Sequence, residues 1–365
     1  MVTKIVIDVF LVVIKMSKIR NFVDEEILHY VGYSSSNKDR SGFFLIIDDY
    51  IANIESLNGK LEISPLNKAI EKHLWLRNYV KSIPKKPLGY FIRVLPNAKI
   101  DFPIQACFYT KKSKSQIIHN IFVAEPNSKA HLISGCTTSI QECKHMGISH
   151  YLIKDNASLS VTRIHHWLPT TSVFSKSSTL VKRNAIFISN YIVLSPPKKE
   201  QSHSITNVKE NGTTRFISVV YAKEHSNFNI NDEVFLKEKN ARSEIINKTL
   251  SKGGKVITRG HIQGKGENTK GHMECDGLLL NDRGKIETIP ALEAINSKTD
   301  LSHEVGIGRI SGEELNYLMS RGIDEETAKS LIVRGFLDIE IKGLPEQLQK
   351  FINELIKKIS IEGTV

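Results

Sequence analysis

The chain has 365 residues, 40% hydrophobic and 24% charged, with a formal net charge of +11. That is enough for two or three domains around at least one substantial core, in the range of a soluble globular protein. The four cysteines, Cys107, Cys136, Cys143 and Cys275, form no CxxC pair and no zinc-finger spacing. This excludes a disulfide scaffold and points to a reducing, cytoplasmic compartment. The basic balance fits a nucleic acid, an anionic membrane or an acidic partner, but it is spread along the chain with no run of five like charges.

In chain order, the first element is the apolar stretch 5–14. It is too short to span a bilayer, and Asp8 interrupts it. No small-residue cleavage site follows, so it is not read as a secretory signal, and Met16-Ser17-Lys18 would serve as an ordinary start. Residues 17–87 read as mostly helical, with a polar loop over 33–42. Ser64-Pro65 is a helix start, followed by Leu66, Ile70 and Leu74 on one row and Trp75 and Tyr79 on another. Pro84-Lys85-Lys86-Pro87 reads as a linker.

From 88 to 310 short apolar or alternating runs dominate: 117–124, 130–134, 150–153, 159–164, 185–194, 215–222, 255–262 and 273–280. Small polar turns such as Lys154-Asp155-Asn156-Ala157 and Glu210-Asn211-Gly212 separate them. A region of this kind fits a sandwich, a barrel or a β-solenoid, and the pattern does not choose among the three. Helices return near 311. Ser311 with Glu314 predicts a capping box, Gly322 a C-terminal stop, and Asp324 with Thr327 the next start. A last helix is predicted over 345–359, with Leu348, Phe351, Ile352, Leu355 and Ile359 as its stripe. The division is thus a mostly helical segment over 1–90, a β core over 91–310 and a helical segment over 311–365.

Two thiols stand near groups that could give them chemistry. Cys275 lies in a predicted strand, and His303-Glu304 follows after one further strand and a turn. Thiolate is a soft ligand favoured by iron and iron–sulfur clusters, imidazole can replace it, and a carboxylate is a labile hard ligand. Few, mixed ligands suit a cluster that must be released. Cys136, in Gly135-Cys136-Thr137, precedes His165-His166-Trp167 and could handle sulfur or line a passage. For either thiol the plainer alternative is a small buried hydrophobe. The chain has no dinucleotide fingerprint, P-loop, nucleophile elbow or HExxH, and so no nucleotide-hydrolysing site of its own.

Taken in order, Gly135-Cys136-Thr137, Trp167, Thr258-Arg259-Gly260, Cys275-Asp276, Ile289-Pro290, His303-Glu304, Tyr317-Leu318-Met319-Ser320-Arg321-Gly322 and Gly335-Phe336 resemble the SufB/SufD family of iron–sulfur cluster assembly scaffolds. The resemblance spans about 117–340 and is strongest over 258–337. It implies a right-handed parallel β-helix core with helical flanks, and C-terminal helices that bind the family's ABC-type ATPase, SufC. It also implies pairing of two scaffold subunits through the β-helix, as a homodimer or heterodimer, with a transient cluster near that junction. By the same resemblance Cys275, His303 and Glu304 are cluster or metal ligands, and Cys136, His165 and Trp167 belong to sulfur transfer from an external donor. The thiol at 275 is SufB-like. His165 stands where the SufB pattern has glutamine.

The expectation is therefore a non-enzymatic assembly scaffold. The alternative is a basic β module for nucleic acid or another polyanion, which needs Lys and Arg on one face with stacking aromatics. Aromatic content is only 7%, so nucleic acid is disfavoured. A β-helix carbohydrate enzyme would need a cluster of carboxylates on one coil face, and none is visible.

Overall fold

The computed structural model describes residues 27–28, 30–33, 39–57, 59–79 and 87–337, together with 349–350, 353–354, 356–357 and 359. Its strands are β1 (Gly42–Ile47), β2 (Tyr50–Ser56), β3 (Leu61–Pro65), β4 (Tyr90–Val94), β5 (Ile104–Thr110), β6 (Ser115–Ala124), β7 (Lys129–Thr138), β8 (Lys144–Ile153), β9 (Ser158–His166) and β10 (Ser172–Val181). They continue as β11 (Ile186–Ser195), β12 (Lys199–Val208), β13 (Thr213–Lys223), β14 (Asn227–Leu236), β15 (Arg242–Lys252), β16 (Lys255–Gly264), β17 (Lys270–Leu279), β18 (Lys285–Ala294) and β19 (Asp300–Arg309). From β4 onward the chain alternates between two sheets. One has the order β19-β17-β15-β13-β11-β9-β7-β5-β1-β2, the other β18-β16-β14-β12-β10-β8-β6-β4-β3. Each pair along a sheet from β5 or β4 to the end is parallel, so every coil stacks on the one before it. Of the three β architectures the sequence left open, this is the β-solenoid.

The coil is set by residue alternation. In β16 Val256, Thr258, Gly260, Ile262 and Gly264 are buried and the residues between them are not. Period 2 places the first set inside the solenoid. The interior apolar cluster runs the length of the core, from Phe44, Tyr90 and Phe108 through Trp167, Phe187 and Phe216 to Met273 and Cys275.

Turns repeat as well. Asn97, Asn127, Asn156, Asn184, Asn211, Asn240 and Asn268 all have φ between 53° and 60°. Asparagine tolerates this left-handed conformation better than other residues with a Cβ. The first six are joined side chain to side chain: each amide NH2 donates to the amide oxygen of the asparagine one coil earlier, at 2.9–3.0 Å. The steps are 27 to 30 residues, which is the length of one coil.

Within the segment expected to be mostly helical, Gly42–Ile47, Tyr50–Ser56 and Leu61–Pro65 are strands. The reason is double burial. All six residues of β1 are buried, Phe44 and Ile46 in the solenoid core and Phe43, Leu45 and Ile47 against Leu28, Val31 and Cys107. A strand covered on both faces loses its alternation and reads like a helix. β1 pairs parallel with β5 and antiparallel with β2, and β3 pairs antiparallel with β4, so this region closes the first coil. The helix expected after Ser64-Pro65 is α1 (Leu66–Lys72), followed by a 3-10 turn over Leu74–Asn78.

The C-terminal helices α2 (Gly312–Ser320) and α3 (Glu325–Leu337) start as expected. Ser311 Oγ accepts from the Glu314 N–H at 3.4 Å, and Asp324 Oδ1 from the Thr327 N–H at 2.9 Å. Gly322 ends α2 at φ 86°, a conformation that only glycine adopts cheaply. Val333 and Leu337 of α3 pack on outward-facing Ile164, Ile192 and Ile246 of the longer sheet. Most of the last predicted helix, including Leu348, Phe351, Ile352 and Leu355, lies outside the described residues; Ile356 and Ile359 join the same apolar cluster. Among the described residues no helix is long and apolar enough to cross a membrane.

Candidate functional site

Cys275 sits on β17 between β15 and β19, opposite Asn247 and Val305. It is 4% exposed and faces the solenoid interior beside Met273. Asn247 donates its side-chain amide to Cys275 Sγ at 3.6 Å, and Ser218 Oγ donates to Asn247 Oδ1 at 2.5 Å. Pairing register extends this row backward. Ser134, Arg163, Tyr191, Ser218, Asn247 and Cys275 are mutually opposite on β7, β9, β11, β13, β15 and β17. A row of mostly polar side chains thus runs along the core and ends at the thiol.

His303 and Glu304 are on β19, the strand next to β17, as the predicted strand and turn between them required. Alternation separates them. His303 is opposite Met273 and shares the inward side with Cys275, whereas Glu304 is opposite Glu274 on the outward side. There Lys248 bridges Glu274, at 2.9 Å, and Asp276. The three residues therefore do not converge on one point within the chain. Among the described residues no group of three His, Cys, Asp or Glu side chains could hold a metal ion.

β19 and β18 are also the last strands of their sheets. Apolar side chains on them remain in solvent: Val305 45%, Ile307 40% and Leu292 37% exposed. One coil earlier the positions opposite Val305 and Leu292 are the buried Cys275 and Ile262. An edge of unpaired backbone with apolar side chains is a surface that a second chain can extend.

Cys136 lies several coils away on β7, again facing inward, with His165 directly opposite on β9. Trp167 stands beside them, its ring 5.5 Å from His165 and 5.1 Å from His145. The structure thus brings the three sulfur-transfer candidates together. A cavity of ≈ 30 Å³ lies among Cys136, His145, Tyr151, Arg163 and His165. A second of ≈ 20 Å³ lies among Arg163, Tyr191, Ser218, Asp232 and Asn247. Arg163 borders both. Each is large enough for a water or a single sulfur atom.

Burial sets the resting charge of these groups. Lack of solvation pushes the Cys136 thiol well above its usual range, with Cys107 and Glu200 adding to the shift and Arg163 opposing it. His145 is held neutral down to about 3 by burial and by the neighbouring His165. Asp232 is raised by burial, against the pull of the Ser204 hydroxyl and the Arg163 charge. The sequence reading missed Arg163, Tyr191, Glu200, Asp232 and Asn247. The signal for them was present as polar residues recurring at the coil length, Ser218 to Asn247 by 29 and Asn247 to Cys275 by 28.

Comparison with known proteins agrees with this architecture. The family described as "SUF system FeS cluster assembly, SufBD core domain" matches residues 107–336. An "Iron-sulfur cluster assembly SufBD family protein" of Archaeoglobus fulgidus is 42% identical over 92% of this chain and 95% of its own length. One from Methanothermobacter thermautotrophicus is 33% identical over 89% of this chain and 84% of its own. Another, from Pyrococcus horikoshii, is 34% identical over 75% of this chain and 62% of its own. The chain belongs to the SufBD family of iron–sulfur cluster assembly proteins.

Proposed function

We propose that the chain is a SufB-like scaffold subunit on which an iron–sulfur cluster is built and from which it is released, the cluster being cargo. The observation that carries this reading is the interior polar row that ends at Cys275, beside the uncovered last coil. Sulfur enters at Cys136 from a persulfide-bearing donor, with His165 and Trp167 around it. It passes the two cavities that Arg163 joins and reaches Cys275. Cys275 and His303 supply soft and borderline ligands on the inward side, and Glu304 a hard one. Because Glu304 faces outward, the ligand set is completed across a junction with a second subunit rather than within one chain.

That junction is the face formed by β18 and β19. The partner is a second copy or a SufD-type subunit, and the coils are right-handed, as parallel crossovers in one sheet are. The ABC-type ATPase SufC docks on the C-terminal helices, where Tyr317 and Met319 of α2 and Leu331 of α3 are exposed. The chain hydrolyses no nucleotide itself, and movement of the bound motor opens or closes the junction. Four free, buried cysteines suit a cytoplasmic protein. Anaerobic reconstitution with iron and sulfide tests the assignment. Cys275→Ser should lose most of the cluster absorbance of the parent, and equal absorbance would overturn the role given to Cys275.

A further inference from the structure

Glu200, on β12, is fully buried in the interior near the longer sheet. One of its oxygens, Oε2, has no hydrogen-bond partner among the described residues. The other, Oε1, accepts from the Tyr191 hydroxyl and stands 3.4 Å from His165 Nδ1. Tyr191 Oη is itself 3.0 Å from His165 Nδ1. Tyr191 has one hydroxyl proton, and it is donated in the hydrogen bond to Glu200 Oε1. The short contact to the imidazole is then made by Nδ1–H donating to the tyrosine oxygen. That leaves Nε2 as the unprotonated nitrogen. Cys136 faces His165 in register and lines the same cavity. A buried carboxylate with an unused oxygen costs stability, and no lysine or arginine pairs with it within salt-bridge distance among the described residues.

We infer that Cys136, His165 and Glu200, with Tyr191 between the last two, form a thiol-activating relay that makes Cys136 the entry nucleophile for sulfane sulfur. This rests on the sulfur-transfer reading of Cys136 above and adds what the glutamine of the SufB pattern cannot supply, a base. His165 Nε2 takes the proton of the Cys136 thiol. The thiolate attacks the outer sulfur of a persulfide R–S–SH, a new S–S bond forms at Cys136, and the donor S–S bond breaks. The R–S⁻ leaving group takes the proton back from His165, so Cys136–SH and R–S–SH become Cys136–S–SH and R–SH with no other oxidant. Tyr191 and Glu200 are positioning residues: they fix the tautomer and stabilise the imidazolium while it exists. The Trp167 indole N–H, buried and without an acceptor among the described residues, belongs to a ring 5.5 Å from that of His165.

The test uses the full chain, inorganic polysulfide as a small persulfide probe, and mass spectrometry of each cysteine after a short pulse. Cys107 is the internal control. Its thiol is pushed up to about 12 by burial, and the residue opposite it on β7 is Gly135, with no side-chain base. In the parent, Cys136 should gain sulfur at least tenfold faster than Cys107. His165→Gln should lower the Cys136 rate by about 100-fold, the usual worth of a positioned base. Glu200→Gln should lower it less, and added imidazole should restore His165→Ala. A variant that only loosens the fold would instead raise both thiols together. If His165→Gln reacts at the parent rate, or imidazole rescues nothing, the relay is wrong although Cys136 remains the sulfur acceptor. If Cys136 takes no sulfur in the parent while Cys275 does, the entry role falls too.

Discussion

The two ends of the solenoid solve the same problem differently. At the first coil, β1 and β2 and then β3 and β4 turn antiparallel and close the sheets, and Phe44, Ile46, Phe91 and Ile92 are fully buried. At the last coil, β18 and β19 are edge strands whose Leu292, Val305 and Ile307 stay more than a third exposed. Stacked-repeat proteins need a cap at each end to stay soluble. Under the proposed pairing, the first end serves stability and the second serves association. It also places Cys275, one strand in from the uncovered end, where a subunit junction can reach it.

Breaking the capped end should have the largest effect. Phe44→Ala removes a fully buried ring and should cost about 3–5 kcal/mol of stability, read from denaturant midpoints. Cluster formation by the folded fraction should not change. At the open end, Leu292→Lys puts a charge on the sheet that does not carry Cys275. It should weaken self-association or SufD-type pairing by about 100-fold, near 3 kcal/mol, by sedimentation, and leave the unfolding midpoint almost unmoved.

Between the ends, the polar interior sharpens the contrast through pH. His145 is buried and neutral in the folded state, with its ionisation depressed to about 3 against about 6.5 when unfolded. The unfolded chain therefore binds the extra proton below pH 6.5. The stability tied to neutral His145 is complete above that value and is lost as pH falls from 6.5 towards 3, by about 1.4 kcal/mol per unit. His145→Gln should flatten this limb of a stability–pH curve, and an unchanged slope would refute it. The smallest effect belongs to the asparagine ladder. Asn184→Ala removes two side-chain hydrogen bonds, to Asn156 and from Asn211, and should cost about 1–2 kcal/mol in thermal unfolding.

Much of the core was readable because strands such as β16 alternate cleanly, with Val256 and Ile262 inside and Lys255 and His261 outside. β12 was not, because its buried positions are Glu200, Ser204, Thr206 and Val208, so the inward side carries little hydrophobic signal. β1 misled for the opposite reason, being apolar on both faces. The site was legible as a set of residues more than as a geometry. Cys275 and His303-Glu304 fall on adjacent strands, as their spacing suggested, but which of them faces inward depends on pairing register set by turn lengths. The partners of His165 are further from view still, because Tyr191 and Glu200 come from two different sheets.

If one chain holds an incomplete cluster site, as proposed, the uncovered coil completes it with a second subunit. Native mass spectrometry after anaerobic reconstitution with iron and sulfide measures this directly, on the parent and on Leu292→Lys. Iron and sulfide should appear only on the paired species, with the monomeric variant bare although Cys275 is intact. A monomer carrying the full complement of iron and sulfide would contradict it.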